Sequence, residues 1–208
     1  MIAGTGEVIL DRFNVSRVSR EKIEIYVDLL LTWQRRINLI GPGTAQNVWQ
    51  RHILDALQLV PLLPPGTRVI ADLGSGAGIP GLVVAMAADL EVHLYESNGK
   101  KAAFLREAAR RTGTRAQVHV LRVETLAHEG EAPRVQCVMA RALAPLAILL
   151  GYAEPFLVRG AIGLFLKGQD VDRELTEATK YWRIESLKHP SQCDPRGVVL
   201  EIREASRV

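Results

Sequence analysis

A glycine-rich turn is the part of the chain whose residue types and spacing most clearly suggest chemistry. The segment 69–81 reads VIADLGSGAGIPG, which predicts a strand, a tight turn and the start of a helix. Glycine allows such a turn and lets the backbone approach a ligand with no Cβ in the way. The glycines are Gly74, Gly76 and Gly78, and Ile79 stands where a dinucleotide-binding fingerprint requires glycine. A nicotinamide dinucleotide is therefore the weaker candidate for the ligand.

Acidic residues stand at three predicted strand ends around this turn. Asp72 lies two residues before the first glycine, Glu96 ends the next strand, and Val123-Glu124 follows the third strand. Carboxylates at these places can accept hydrogen bonds from an ammonium group or fixed water, from the two hydroxyls of a ribose, and from the edge of an adenine. S-adenosylmethionine carries these groups and no pyrophosphate, so it is the predicted cofactor. Each acid alone is equally consistent with a helix cap or a surface charge.

The elements that position these residues follow from the spacing of apolar residues. Between 19 and 40 they recur at three- and four-residue steps, which predicts an amphipathic helix with Ser19 as its cap. A Gly-Pro-Gly segment at 41–43 ends this helix, and Thr44 is placed to cap a second helix that runs to about residue 60. We assign residues 1–65 to a helical N-terminal extension within one compact unit.

After a proline cluster the pattern changes to alternating strands and helices. Short apolar strands separated by helices predict a mostly parallel sheet covered on both faces, with ligands at the carboxyl ends of the strands. We therefore predict an α/β Rossmann-like domain with seven strands over residues 66–208, and the predicted cofactor makes it a methyltransferase domain. The predicted strands are 68–72, 91–96, 117–121, 135–140, 161–167, 182–187 and 198–203, and the predicted helices are 79–88, 100–111, 144–156 and 170–181.

The composition suits a one-domain protein of a reducing compartment. The chain has 208 residues and a net charge of +3, and neither its two cysteines nor its histidines show metal-ligand spacing. The N-terminus has no signal-peptide pattern, and charges and prolines interrupt the apolar stretch 140–158. We expect a cytoplasmic monomer with no membrane or metal partner. Bases outnumber acids between 100 and 122, which favours a polyanion partner, although a solvated helix face explains them equally well.

Several separated motifs occur in the same order as in one known family. They are Trp33 with Asn38-Leu39-Ile40, the run RHILD at 51–55, DLGSGAGIPG at 72–81, Ser97 with GKKAAFL at 99–105, RVE at 122–124, ARA at 140–142 and LKGQ at 166–169. With them, almost the whole chain resembles the RsmG, or GidB, family of 16S rRNA guanine-N7 methyltransferases. Two positions depart from the family pattern: Gln34 replaces the usual asparagine, and Ala56 replaces the usual serine.

The resemblance implies methyl transfer from S-adenosylmethionine to N7 of a guanine, conventionally guanine 527, in the decoding region of 16S rRNA. N7 bears a lone pair and no proton, so this chemistry needs positioning rather than a general base. The implied partner is 16S rRNA, the small ribosomal subunit or one of its assembly intermediates. By the same resemblance, the cofactor-contacting positions of the family fall on Gly74, Ile79, Val123, Glu124 and Arg141.

Basic residues near the predicted strand ends are the candidates for substrate contacts. Arg141 ends the fourth predicted strand and Lys167 the fifth, where both could flank a guanine, whose N7 and O6 acceptors are usually read by Arg and Lys. For each, a phosphate contact or a structural ion pair is the alternative. His52 is also consistent with a packed structural residue. The candidate RNA contacts are Arg51, His52, Lys100, Lys101 and Arg122.

Three other functions are compatible with parts of the sequence. A nicotinamide-dependent oxidoreductase would also place Glu96 on a ribose, and a non-catalytic RNA-binding assembly protein could retain a vestigial pocket. A methyltransferase of small molecules or proteins is the third. Two other base-methylation chemistries lack their marks, because ALAP at 142–145 replaces the Asp/Asn-Pro-Pro-aromatic turn of adenine amine methylation. Cytosine C5 methylation needs a cysteine nucleophile, whereas Cys137 is predicted inside a strand as a small buried hydrophobe.

Overall fold

The central feature of the fold is one seven-stranded sheet. The computed structural model describes residues 2–128 and 132–208. Its strands are β1 (Val69–Leu73), β2 (Glu91–Tyr95), β3 (Ala116–His119), β4 (Cys137–Arg141), β5 (Ile162–Lys167), β6 (Trp182–Pro190) and β7 (Val198–Arg207). Their order is β3-β2-β1-β4-β5-β7-β6. The pairings from β3 to β5 are parallel, and β7 runs antiparallel to both of its neighbours, β5 and β6. The predicted α/β class is confirmed, and β6 and β7 extend beyond their predicted ends.

The register of the central strands brings three sequence motifs to one edge of the sheet. Leu73, the last residue of β1, pairs with Tyr95 of β2 and with Ala140 of β4. Gly74, Glu96 and Arg141 are the residues that come next after these three paired positions, so all of them lie at the carboxyl edge of the sheet. The strand order also reverses between β1 and β4, and such a reversal opens the crevice where ligands bind in open α/β sheets.

Helices cover both faces of the sheet, as the sequence predicts. They are α4 (Gly81–Ala88), α5 (Gly99–Thr112), α6 (Leu146–Leu157) and α7 (Val171–Ala178). The core on one face includes Leu82 and Phe104, and that on the other includes Leu150 and Phe156. Residues 81–86 of α4 are all buried, because this helix is enclosed between the sheet and the N-terminal helices. No helix in the described parts of the chain is both long and apolar enough to cross a bilayer.

The N-terminal segment packs on α4 and α5. Its helices are α1 (Ile2–Arg12), α2 (Arg17–Gln34) and α3 (Leu54–Leu57), and the helix α1 is not predicted from the sequence. Ile23 and Leu30 of α2 belong to the same hydrophobic cluster as Leu82 and Phe104. The extension therefore packs on the helices that cover one face of the sheet, and its boundary at residue 65 stays a prediction.

The helix predicted over 19–40 is α2, which begins at Arg17 and ends at Gln34, so both of its ends lie earlier in the chain than predicted. Its cap is Ser16, whose Oγ accepts a hydrogen bond from the backbone N–H of Ser19, so the assignment of Ser19 as cap is wrong. The helix ends at Gln34 because that side chain binds the chain that follows. Its Oε1 accepts hydrogen bonds from the N–H groups of Leu39 and Ile40, each at 2.9 Å.

The single helix predicted from 44 to about 60 is also wrong. The chain forms a 3₁₀ turn at Pro42–Asn47, a π turn at Trp49–Ile53, the short helix α3 and a second 3₁₀ turn at Val60–Leu62. Thr44 caps no helix, because it lies inside the first 3₁₀ turn, where its hydroxyl donates to the carbonyl of Gly41. Apolar spacing could not separate these alternatives, since 3₁₀, α and π turns all place residues three to five apart on one side.

Candidate functional site

The glycine turn joins β1 to α4 at the carboxyl edge of the sheet. Gly74, Gly76 and Gly78 have φ values of +67°, +56° and +83°, a region that strongly favours glycine. A Cβ on Gly74 would lie 2.6 Å from the Leu143 side chain, which follows β4. A Cβ on Gly76 would meet no atom closer than 3.8 Å. The turn thus presents open backbone at Gly76, and a side chain there would fill space that a ligand could use.

Glu96 connects the end of β2 to this turn. One carboxylate oxygen, Oε2, accepts a hydrogen bond from the Gly76 N–H at 2.8 Å, and Oε1 accepts one from the Asn98 N–H at 2.7 Å. Asn98 in turn caps α5 by accepting from the N–H groups of Lys100 and Lys101. The expected ribose-binding carboxylate therefore lies directly against the glycine turn, with 8% of the residue exposed.

Asp72 lies behind the turn and is fully buried. Its Oδ2 accepts a hydrogen bond from the Gly81 N–H at the start of α4. Its Oδ1 is the one buried side-chain polar atom without a hydrogen-bond partner in the described part of the chain. Burial raises the pKa of Asp72 to about 7, against the effect of the Gly81 hydrogen bond and the Arg141 charge.

The remaining cofactor candidates lie at the end of the turn, after β3 and, for Arg141, at the end of β4. Ile79 is buried beside it, and Val123 is buried at the start of a 3₁₀ turn after β3, where Glu124 is exposed. S-adenosylmethionine, which the family resemblance implies, fits these residues on three observations. They are the open backbone at Gly76, the Glu96 carboxylate held against it, and the Asp72 oxygen that has no hydrogen-bond partner. The assignment of individual cofactor contacts stays a prediction.

A cavity of about 490 Å³ opens beyond the ends of β4 and β5, and Leu143, whose side chain packs against Gly74 of the turn, is part of its lining. Its walls come from the N-terminal segment, from the chain after β4, from the end of β5 and from the loop between β6 and β7. The charged or titratable side chains that line it include Arg51, His52, Asp55, Arg141, Lys167 and Glu174. Of the candidate RNA contacts, Arg51 and His52 line this cavity. Lys100 and Lys101 lie instead in the first turn of α5, and Arg122 is exposed after β3.

Arg141 is held in this cavity by two side chains of the N-terminal segment. Its Nη1 donates to His52 Nδ1 at 3.0 Å and to Asp55 Oδ2 at 3.2 Å. Because Nδ1 accepts, the other ring nitrogen carries the proton and donates to Thr44 Oγ1 at 2.7 Å. Burial, with the nearby charges of Arg141 and Arg51, lowers the pKa of His52 to about 4. His52 is therefore neutral near pH 7 and has protein partners on both nitrogens, which favours the structural alternative for it.

Lys167 forms an ion pair within the protein. Its ammonium group lies 2.6 Å from Glu174 Oε2 and 2.8 Å from the carbonyl oxygen of Ala144, and its side chain is 7% exposed. The same oxygen of Glu174 accepts a hydrogen bond from the Leu146 N–H. Lys167 thus fixes the chain that follows β4 against α7. The structural ion pair left open by the sequence is present, and a direct contact of Lys167 with a base stays a prediction.

Two functional partners were missed by the sequence reasoning. The sequence gives Asp55 no role beyond its place in the run at 51–55, although it binds Arg141, and it gives no signal for Glu174, which binds Lys167. Asp55 follows His52 by three residues, a helical spacing that could have suggested a shared partner.

Cys137 is fully buried in β4, and this burial raises the pKa of its thiol. Its interpretation as a small buried hydrophobe is confirmed. No cluster of three or more metal-ligand side chains occurs in residues 2–128 and 132–208.

Solved structures with this architecture place the chain in a class. Methyltransferase PaMTH1 from Podospora anserina, solved with S-adenosylhomocysteine bound, matches 86% of this chain and 87% of its own, with a TM-score of 0.59 and 16% identity. TYW2 from M. jannaschii, solved with AdoMet, matches 84% of this chain and 80% of its own, with a TM-score of 0.54 and 12% identity. Together with the strand order and the glycine turn, these matches define a Rossmann-like methyltransferase fold.

Sequence comparison then identifies the family within this class. The model of the family described as rRNA small subunit methyltransferase G matches residues 19–194, and the chain belongs to this family. A protein of Paramagnetospirillum magneticum named Ribosomal RNA small subunit methyltransferase G is 49% identical over 97% of this chain and 96% of its own. A protein of the same name from Rhodospirillum rubrum is 52% identical over 93% of this chain and 94% of its own.

Proposed function

We propose that the protein transfers a methyl group from S-adenosylmethionine to N7 of a guanine, conventionally guanine 527, in bacterial 16S rRNA. The observation that carries this proposal is the identity of 49–52% to small-subunit rRNA methyltransferases over nearly the whole chain. The same observation makes a nicotinamide-dependent oxidoreductase and a vestigial assembly protein the less favoured alternatives. We place the protein in the cytoplasm as a monomer that acts on 16S rRNA, the small subunit or an assembly intermediate.

The cofactor site in this proposal is the carboxyl edge of β1, β2 and β3. The cofactor supplies an electrophilic methyl group on a sulfonium sulfur. The backbone from Gly74 to Gly78 forms the floor of the cofactor site. Glu96 accepts hydrogen bonds from the ribose hydroxyls, and Val123-Glu124 contacts the adenine. Asp72 offers its free oxygen to the ammonium end, directly or through a water. These roles use the acceptors that the turn and the strand ends hold in place.

Guanine N7 suits a cavity that offers no free histidine base. Both ring nitrogens of His52 are engaged, by Arg141 and by Thr44, so this side chain has no lone pair to take a proton. N7 has no proton to lose, and its attack on the methyl group needs alignment instead. Holding two reactants in line contributes at best about 7–11 kcal/mol of barrier reduction.

Arg141 is the residue that we expect to orient the guanine. It ends β4 beside the glycine turn, and its side chain is 23% exposed in the cavity. A guanidinium donor on O6 orients the base while it leaves N7 free for the methyl group. Lys167 lines the same cavity, and its positive charge there, paired with Glu174, completes a polar wall for an RNA base.

A methyl-transfer assay with mapping of the product tests the proposal. The protein is incubated with labelled S-adenosylmethionine and small subunits that lack the modification, and the labelled nucleotide is identified by mass spectrometry. We expect label on N7 of one guanine. Arg141→Ala should lose about 100-fold or more in turnover if it positions the base, whereas Glu154→Gln, in an exposed ion pair with Arg207, should keep the wild-type rate. Label on an adenine, a cytosine or a protein would reject the proposal.

A further inference from the structure

Only one end of the Arg141 guanidinium is engaged by the protein. Its Nη1 nitrogen has two hydrogens, and the two acceptors on it are His52 Nδ1 and Asp55 Oδ2. Within residues 2–128 and 132–208, Nε and Nη2 make no hydrogen bond. Three N–H donors of the guanidinium are therefore left to the cavity that Arg141 lines.

We propose that Asp55 and His52 are positioning residues that together hold Arg141 through Nη1, so that its Nε and Nη2 donors face the guanine-binding cavity. This inference rests on the proposed function, because it assigns a task to Arg141 in the methylation reaction. Asp55 is the principal member, since it supplies the charge, and His52 supplies the second acceptor.

Two acceptors on one nitrogen fix the guanidinium better than a single ion pair does. A guanidinium is planar, so two hydrogen bonds to the same end set the direction in which its other donors point. A single carboxylate contact would let this plane rotate. Donors that are already aimed need no reorganisation when the substrate arrives, and this preorganisation is what catalysis by positioning requires.

Both acceptors are themselves anchored from behind. The other oxygen of Asp55, Oδ1, accepts from Gln58 Nε2 at 2.8 Å, and Gln58 Oε1 accepts from the Gln192 N–H at 2.9 Å. Gln192 belongs to the loop between β6 and β7, which forms another wall of the cavity. His52 is anchored by Thr44 Oγ1, whose own proton goes to the Gly41 carbonyl. The bonds through His52 thus run donor to acceptor from Arg141 to the Gly41 carbonyl, whereas those through Asp55 run toward its carboxylate from both sides.

A purely structural role for Asp55 makes a different prediction. Asp55 is largely buried, with 17% of its side chain exposed, and could serve only to stabilise the fold through its hydrogen bond from Gln58, independently of Arg141. Burial raises the pKa of Asp55, and the charge of Arg141 opposes that shift. A structural role would change stability, but loss of Asp55 would slow an enzyme that already lacks Arg141 as much as it slows the wild type.

A double-mutant cycle on the turnover number separates the two roles. The variants are Asp55→Ala, Arg141→Ala and the double variant, assayed with saturating S-adenosylmethionine and unmodified small subunits. If Asp55 acts through Arg141, Asp55→Ala alone lowers kcat by about 10- to 100-fold, while the double variant is no slower than Arg141→Ala. Affinity for S-adenosylhomocysteine and the circular dichroism spectrum are measured for each variant, and Glu154→Gln is the matched control with a broken ion pair outside the cavity.

A second pair of variants keeps the proposal testable if Asp55→Ala does not fold. The amide oxygen that His52→Asn introduces can take the place of the acceptor Nδ1, so that variant should stay within about threefold of the wild-type kcat, whereas His52→Phe should lose about tenfold. Multiplicative effects in the cycle, or equal rates for the two His52 variants, would overturn the inference. If the wild type methylates no guanine N7, the proposed function fails; if it does so and the cycle is multiplicative, only this inference fails.

Discussion

In the cofactor-free protein, the stability of Asp72→Asn relative to the wild type should increase as the pH rises. Asp72 is fully buried, one of its oxygens has no partner, and burial raises the pKa of this carboxyl from 3.8 to about 7. The folded protein therefore keeps a proton that the unfolded chain releases between about pH 4 and pH 7. In this window the Asp72 contribution lowers the free energy of unfolding as the pH rises. Asparagine does not ionise and can still accept the Gly81 hydrogen bond through its amide oxygen.

The size of the effect follows from the shift in pKa. A displacement of about 3 units corresponds to about 4 kcal/mol, at about 1.4 kcal/mol per unit. Part of this loss has occurred by pH 5, so about 2–3 kcal/mol remains between pH 5 and pH 8. The amide nitrogen takes the place of an unpartnered oxygen, which adds a cost that is independent of pH. The prediction therefore concerns the change with pH and not the absolute stability of the variant.

Urea unfolding of the wild type and the variant at pH 5, 6, 7 and 8 measures this change. The free energy of unfolding of Asp72→Asn minus that of the wild type should increase by about 2–3 kcal/mol from pH 5 to pH 8. Other ionisable groups cancel in this difference. A difference that is the same at all four pH values would show that Asp72 ionises at its ordinary pKa, and the reasoning from its burial would be refuted.

Three further substitutions test the site and its support. Glu96→Gln removes the charge of the expected ribose acceptor, which should weaken S-adenosylhomocysteine binding by about 10- to 100-fold in calorimetry; a loss below twofold would remove Glu96 from the ribose site. Gly76→Ala places a methyl group on the open side of the turn at a φ of +56°, so it should abolish that binding and cost about 1–2 kcal/mol of stability; retained affinity would contradict the assigned floor of the cofactor site. Tyr26→Phe removes a buried hydrogen bond of 2.7 Å to the Ala77 carbonyl and should lower the free energy of unfolding by about 1–3 kcal/mol, with an unchanged urea midpoint as the contrary result.

The parts of the fold predicted correctly are those that local patterns determine. The glycine turn after β1 and the alternation of apolar strands with helices follow from neighbouring residues, and the register then brings Gly74, Glu96 and Arg141 to one edge. The N-terminal segment was less predictable. Its helix boundaries depend on side-chain hydrogen bonds, such as those of Gln34 to the chain at 39–40, and apolar spacing does not encode them.

The candidate site was predicted in its residues but not in its pairings. Arg141 and Asp55 are 86 residues apart in sequence, so no spacing rule connects them. The place of Lys167 at a strand end predicts a substrate contact. Its partner Glu174 lies on the next helix, and the same Glu174 oxygen also accepts a hydrogen bond from Leu146 in the chain after β4. Such contacts depend on tertiary packing, which a single sequence does not reveal.

We propose the turn from Gly74 to Gly78, with Glu96 against it, as the binding site of S-adenosylmethionine. A crystal structure of the protein with S-adenosylhomocysteine tests it most directly. We expect the nucleoside at the carboxyl edge of β1 and β2, with both ribose hydroxyls on the Glu96 carboxylate and the sulfur facing the cavity that Arg141 lines. An empty turn in those crystals, or the nucleoside bound elsewhere on the molecule, would contradict the account.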